Sequence, residues 1–243
     1  MSAGGRPLLE VEALDAGYGA LQILFEVSLS VLEGEQLLVF GPNGAGKSTL
    51  MKALVGLATV TGGRARLAGH EVTGLPTEAV VRRGIGYVPQ ISNVFGSMSV
   101  EENLEMGGAQ LGRGAARRIG ELFELFPLLL ERRRQAARTL SGGQRQVLAM
   151  ARALMPEPEL LLLDEPSAGL SPGMVRFIFE TVTDICRTGT SVLMVEQNAR
   201  QALEHVDRGV VLENGRVRFE GPARELLRRE DIGALYLGVH KDR

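Results

Sequence analysis

The run Gly41-Pro42-Asn43-Gly44-Ala45-Gly46-Lys47-Ser48-Thr49 sets two glycines, a lysine and a hydroxyl residue at the spacing of a phosphate cradle. Glycines let the backbone curl around an anion and aim several N–H groups inward, and a helix that opens behind them adds the positive end of its dipole. All nine residues are expected to bind nucleotide phosphates, with Lys47 reaching the β and γ phosphates and Ser48 offering its hydroxyl to Mg²⁺. Such a cradle needs acids opposite it. The apolar run Leu160-Leu161-Leu162-Leu163 ends in Asp164-Glu165, which could hold Asp164 near Mg²⁺, directly or through water, and Glu165 beside the γ phosphate. These two motifs predict nucleotide chemistry and no more, because kinases, GTPases and helicases use them too.

The elements around the motifs have the order such a site requires. Gln36 to Phe40 reads as a buried strand, the glycine loop follows it, and Lys47 to Val55 reads as a helix. Leu160 to Leu163 and Ser191 to Val195 read as further buried strands alternating with helices, which predicts a mainly parallel sheet covered on both faces. Before the loop, Leu9, Val11 and Ala13, then Val27, Leu29 and Val31, alternate as in half-buried strands of an antiparallel β-subdomain. Between Gln90 and Met155 the pattern is helical, with capping-box spacing at Ser99/Glu102 and Ser141/Gln144. Asn214-Gly215 within Val210 to Phe219 predicts a hairpin, and Pro222 opens a short helix. The expectation is one α/β chain with a nucleotide-binding core at 1–89 and 156–243 and a helical subdomain inserted at 90–155.

Composition removes several function classes. A net charge of −2 supplies no field for nucleic acid. The single cysteine, Cys186, excludes an internal disulfide and a cysteine zinc cluster, and its place on the helical face of Val175, Ile178, Phe179, Val182 and Ile185 predicts a core position. MSAGGRPLLE has no secretory apolar stretch and no run approaches the ~20 residues of a membrane span, so the chain is expected in the cytoplasm.

Leu140-Ser141-Gly142-Gly143-Gln144 selects among nucleotide-binding families. Ser141 and two glycine N–H groups at a helix N-terminus can bind a second phosphate, and LSGGQ ahead of LLLLDE resembles the signature of ABC ATPases. The resemblance implies a P-loop NTPase core of the ABC type. It also implies that Ser141, Gly142, Gly143 and Gln144 close on the γ phosphate of ATP held by an opposite, hetero- or homodimeric ATPase subunit. Gln90 matches the glutamine that contacts Mg²⁺ or the attacking water, Tyr18 in AGYG matches the aromatic that stacks on adenine, and Ser167-Ala168-Gly169-Leu170 matches a segment that crosses the dimer interface. In the family a short helix of the membrane permease docks near the Gln90 segment. That makes Ile91 to Glu105 the expected coupling surface, with Val94, Phe95 and Met98 as candidate contacts.

One position departs from the family pattern: Gln197 follows Val195-Glu196 where ABC ATPases usually carry a histidine that contacts the γ phosphate. A glutamine amide can donate a hydrogen bond but carries no proton to transfer and no positive charge. VEQNARQAL, with VDRGVVLENGRV, ENLEMGG, ELFPLLLERR and the terminal YLG, is similar to one of the two ATP-binding subunits of branched-chain amino acid importers. Importers for urea and short amides are also similar. The resemblance implies a peripheral subunit on the cytoplasmic face of the membrane, with Glu165, Gln90, Lys47 and Gln197 at the hydrolytic step. It implies ATP and Mg²⁺ as ligands and a periplasmic or extracellular solute-binding protein as an indirect partner.

Overall fold

The computed structural model describes residues 6–91, 93–229 and 232. The terminal Tyr236-Leu237-Gly238 used above lies outside them.

Two sheets organise the chain. Strands β1 (Pro7–Tyr18), β2 (Leu21–Leu32), β4 (Thr59–Leu67) and β5 (His70–Glu71) form an antiparallel sheet in the order β2-β1-β4-β5. Strands β3 (Gln36–Phe40), β6 (Ile85–Val88), β7 (Leu160–Asp164), β8 (Ser191–Glu196), β9 (Arg208–Glu213) and β10 (Arg216–Pro222) form the second, in the order β10-β9-β3-β8-β7-β6. Its neighbours are parallel except for the β9/β10 hairpin, which turns at Asn214 and Gly215, both with positive φ.

The helices are α1 (Lys47–Leu54), α2 (Thr77–Arg82), α3 (Val100–Gly107), α4 (Ala115–Leu125), α5 (Pro127–Glu131), α6 (Gly142–Leu154), α7 (Pro172–Arg187), α8 (Ala199–Leu203) and α9 (Ala223–Arg228). Four of them, α3 to α6, fill the stretch between β6 and β7, so the expected helical insertion is present. Both capping boxes form: Ser99 Oγ accepts from the Glu102 amide, Ser141 Oγ accepts from the Gln144 amide, and each partner side chain accepts the cap residue's own N–H.

The parallel strands are buried on both faces, and alternate residues feed two cores. Leu38, Phe40, Leu161, Leu163, Val192 and Met194 join α3–α7 on one side. Leu37, Val39, Leu160, Leu162, Leu193 and Val195 join α1 and the antiparallel sheet on the other. This two-sided burial fixes the C-terminal edges of β3, β7 and β8, where the phosphate loop, Asp164 and Glu196 emerge side by side. In doubly wound sheets that edge is where ligands bind.

Two expectations need correction. Ala13 is exposed, not buried: its φ of 46° and the register shifts between Val11 and Leu14 mark a bulge that moves the buried phase to Leu14 and Ala16. Cys186 is half-buried, not in the core. Val175, Ile178, Phe179, Val182 and Ile185 fill the buried face of α7, while the Cys186 thiol at its rim donates to the Gly34 carbonyl at 3.1 Å. Burial and the fields of Asp207 and Glu35 push that thiol up to about 11, so it is no ready thiolate.

Candidate functional site

The phosphate loop leaves β3 and enters α1 through Gly46, whose φ of 103° is a left-handed conformation open to glycine. It is clamped from two sides. A Cβ on Gly41 would lie 1.9 Å from the Leu212 carbonyl oxygen of β9, and one on Gly46 would lie 2.7 Å from Leu24 Cδ2 of β2. The hairpin turn adds a hydrogen bond from the Gly215 N–H to the Ala45 carbonyl at 2.9 Å, while the Phe25 N–H donates to the Gly215 carbonyl at 2.9 Å. Gly41→Ala should therefore cost about 1–3 kcal/mol by overpacking. A lowered thermal midpoint with weakened nucleotide binding checks this; an unchanged midpoint contradicts the clamp.

Ile23, Asn43, Gly44, Ala45, Gly46, Lys47, Ser48, Thr49 and Glu165 line a cleft of about 250 Å³ over the loop. The Lys47 ammonium donates to the Gly41 carbonyl at 2.9 Å and the Pro42 carbonyl at 3.1 Å. Burial lowers the lysine's affinity for its proton, and the carboxylates of Glu165, Asp164 and Glu196 oppose that shift. A cation held in place by the carbonyls of its own loop, and kept protonated by the acids nearby, is a preorganised donor for a phosphate group.

Asp164, 3 % exposed, lies opposite. Ser48 Oγ donates to its Oδ1 at 3.0 Å, and the Tyr87 hydroxyl, from β6, lies 3.4 Å from Oδ2. Burial raises the Asp164 carboxyl above its ordinary range, and the Ser48 and Tyr87 hydrogen bonds oppose this. The same burial, with Asp164 beside it, pushes the Tyr87 phenol up. No cluster of three His, Cys, Asp or Glu residues suited to a metal occurs among the described residues. One hydroxyl and one carboxylate are a hard, incomplete oxygen set, which fits Mg²⁺ because that ion retains waters and phosphate oxygens.

Glu165 begins the turn after β7 with φ 47°, a left-handed backbone in a residue with a Cβ. Its N–H donates to the Val195 carbonyl at 2.9 Å, and its Oε2 accepts from Gln90 Nε2 at 2.7 Å. Lys47, Ser48 and Glu165 thus line one cleft, with Gln90 hydrogen-bonded to Glu165 and Asp164 to Ser48. Gln197 lines an adjoining cleft of about 380 Å³ with Glu165, Ser167, Ala168, Gly169, Leu170, Glu196 and Asn198.

Other expected site residues lie elsewhere. Tyr18, 42 % exposed, lines a separate cleft with Gly56, Leu57, Ala58, Thr59 and Val60, and Lys52 Nζ stands 6.0 Å from its ring centre. Ser141 to Gln144 do not line the phosphate-loop cleft of their own chain. Their glycines have a packing reason: a Cβ on Gly143 would lie 1.9 Å from Met174 Cε, and one on Gly142 would lie 3.1 Å from Leu170 Cδ2. In the Ile91 to Glu105 stretch, Val94 packs on the core, whereas Ile91 is 75 % and Phe95 44 % exposed. The Arg152 guanidinium lies 4.9 Å from the Phe95 ring centre. Sequence reasoning passed over Tyr87, Gly215, Ile23 and Glu196. The Asn-Gly turn and a carboxylate ending an apolar strand were the available signals for Gly215 and Glu196; nothing local marked Ile23 or Tyr87.

A family model described as ABC transporter matches residues 24–168. The chain belongs to the ABC transporter ATPase family. Over 232 residues, 95% of this chain and 100% of the relative, it is 44% identical to BraG, a high-affinity branched-chain amino acid transport ATP-binding protein of Pseudomonas aeruginosa. It is 34% identical over 235 residues to LptB, the lipopolysaccharide export system ATP-binding protein of Escherichia coli, covering 95% of this ABC ATPase and 97% of that protein. Among solved structures, an ATP-binding cassette of an ABC transporter in its ADP conformation superposes with a TM-score of 0.85 at 27% identity. That match covers 96% of this chain and 100% of the other. No helix among the described residues is long and apolar enough to cross a membrane.

Proposed function

We propose that this ABC ATPase powers an importer of branched-chain amino acids, peripheral to the cytoplasmic face of a membrane and acting through permease subunits. The observation that carries the reading is the 44% identity to a branched-chain amino acid transport ATP-binding protein along its full length. Gln197 in the VEQN run agrees with it. A solute-binding protein would act on the ATPase only through the permease. The complete transporter, reconstituted in liposomes, should raise its ATP hydrolysis when leucine-loaded binding protein is added. Stimulation by urea-loaded protein alone would replace the solute while leaving the motor.

In this reading two ATPase subunits pair head to tail, and each ATP lies between the Gly41–Thr49 loop of one and the Ser141 helix start of the other. The absence of Ser141 to Gln144 from the lining of their own chain's cleft supports an arrangement in which a partner supplies them. Loop N–H groups and the Lys47 ammonium hold the phosphates, and Tyr18 contacts adenine. Ser48 and Asp164, with Gln90, would hold Mg²⁺, which when bound neutralises charge on the β and γ phosphates. Glu165 accepts a hydrogen bond from the attacking water and orients it, while Gln90 restrains that carboxylate through the contact at 2.7 Å. The exposed Phe95 and Ile91 would meet the permease.

Gln197 gives the γ phosphate a neutral donor. A histidinium there would strengthen that hydrogen bond by about 1 kcal/mol, since bonds to charged groups contribute roughly twice those between neutral ones. Gln197→His should accordingly raise the assembled transporter's ATPase about fivefold. An unchanged rate would show that this side chain does not tune hydrolysis.

A further inference from the structure

Glu196 has no role in the steps above, yet its setting is costly. It ends β8, the strand between β3 and β7, and is 2 % exposed. No lysine, arginine or histidine among the described residues forms a salt bridge with it, and its field reaches the Lys47 ammonium only at longer range. Burial and the nearby charge of Glu165 push its carboxyl up, and hydrogen bonds from Ser167 and from the Gln197 backbone hold it down. An apolar side chain of similar size would fill the same space without desolvating a carboxylate. Packing therefore does not account for an acid at this position.

The contact it makes is specific. Glu196 Oε1 accepts the Ser167 backbone N–H at 2.8 Å, from inside the turn that begins with Glu165. The preceding strand residue makes the other tie, since the Val195 carbonyl accepts the Glu165 N–H at 2.9 Å. Within the turn the Ala168 N–H donates to the Glu165 carbonyl at 3.1 Å and the Leu170 N–H donates to the Ser167 carbonyl at 3.2 Å. Glu165 itself sits at φ 47°, a geometry that persists only when surrounding contacts over-determine it. Two neighbouring residues of one rigid central strand thus grip both ends of the short segment Glu165–Ser167. One grip is a backbone carbonyl that any residue would supply; the other depends on the Glu196 side chain.

We propose that Glu196 is a positioning residue for the hydrolytic step: by holding the Ser167 N–H it fixes the turn that aims Glu165 at the phosphate cleft. The inference rests on the reading of Glu165 as the group that orients water. It also gives the Ser167–Leu170 segment, which lines the same cleft as Gln197, a direct mechanical link to Glu165. A displacement of that segment would then move the carboxylate that acts on water.

The test compares Glu196→Met, Glu196→Gln and Glu165→Gln in the assembled transporter. Methionine fills the space without an acceptor, whereas glutamine keeps an acceptor oxygen of the same reach. Misplacing a catalytic group by about 1 Å can cost about a hundredfold. Glu196→Met should therefore lower kcat about 10- to 100-fold with KM for ATP within about twofold of wild type, while Glu196→Gln keeps most of kcat. Wild-type kcat in folded Glu196→Met protein overturns the proposal, as does an equal loss in Glu196→Gln, which would trace the effect to charge. If Glu196→Met fails to fold, Glu196→Gln decides alone: near-wild-type kcat is the expected result and a tenfold loss the contrary one. Turnover retained in Glu165→Gln would instead strike the reading of Glu165, and the two failures are separable.

Discussion

Glu165→Gln protein should bind ATP with wild-type affinity and hydrolyse it at least about 100-fold more slowly, the usual contribution of a positioned acid–base group. The substitution keeps the shape of the side chain and its place after β7, and removes the charge proposed to orient a water's proton. The Gln90 contact at 2.7 Å and the Glu165–Val195 hydrogen bond at 2.9 Å show why the effect should be confined to turnover. Both hold the residue from outside the phosphate loop, and neither needs the carboxylate to keep the loop folded. Fluorescent-nucleotide titration beside phosphate release separates the two properties. Turnover at the wild-type rate would remove Glu165 from the mechanism.

Lys47→Ala should weaken ATP binding and hydrolysis together. A charge-assisted hydrogen bond to phosphate contributes roughly 1.5–3 kcal/mol, or about 10- to 150-fold in affinity, and losing a donor to the developing charge costs a further ~10²–10³ in rate. The ammonium is already positioned by the Gly41 and Pro42 carbonyls, on a buried side chain that feels three carboxylates. Phosphate oxygens can replace both carbonyl contacts without moving the loop. Alanine leaves those carbonyls near solvent, so the thermal midpoint without nucleotide should change little. A variant with normal affinity and normal rate would mean that the cleft over the loop is not the hydrolytic site.

Much of this site could be read before any coordinates because its parts are local. Gly41 to Thr49 is a contiguous loop whose strand and helix flanks carry their own periodicity, and Asp164-Glu165 follows a strand too apolar to lie anywhere but inside. What could not be read is what the sheet brings together from afar. The Tyr87–Asp164 contact and the Gly215–Ala45 brace join residues far apart in sequence, and no periodicity reports them. The Ala13 bulge broke an alternation that held on either side of it, since one extra residue inverts the phase. Cys186 shared the right face of α7 but lies at its end, where the core thins out.

The glycines of the Leu140–Gln144 run carry more than one physical cause. Ser141 and Gln144 form the expected capping box, and the two glycines between them leave N–H groups near a helix start. The packing of Met174 against Gly143 gives one of them a second cause, close approach of α7, that sequence spacing does not reveal. Tyr18 ends β1 and lines a cleft separate from the one over the phosphate loop.

The most direct measurement is single-turnover hydrolysis at this chain's own loop, in the assembled transporter whose other ATPase subunit has been inactivated. The account predicts that ATP bound over Gly41–Thr49 becomes ADP and phosphate at a rate sensitive to Glu165→Gln and Glu196→Met. ATP that stays intact there, while the transporter with an active partner subunit still works, would make this a regulatory nucleotide site and contradict the account.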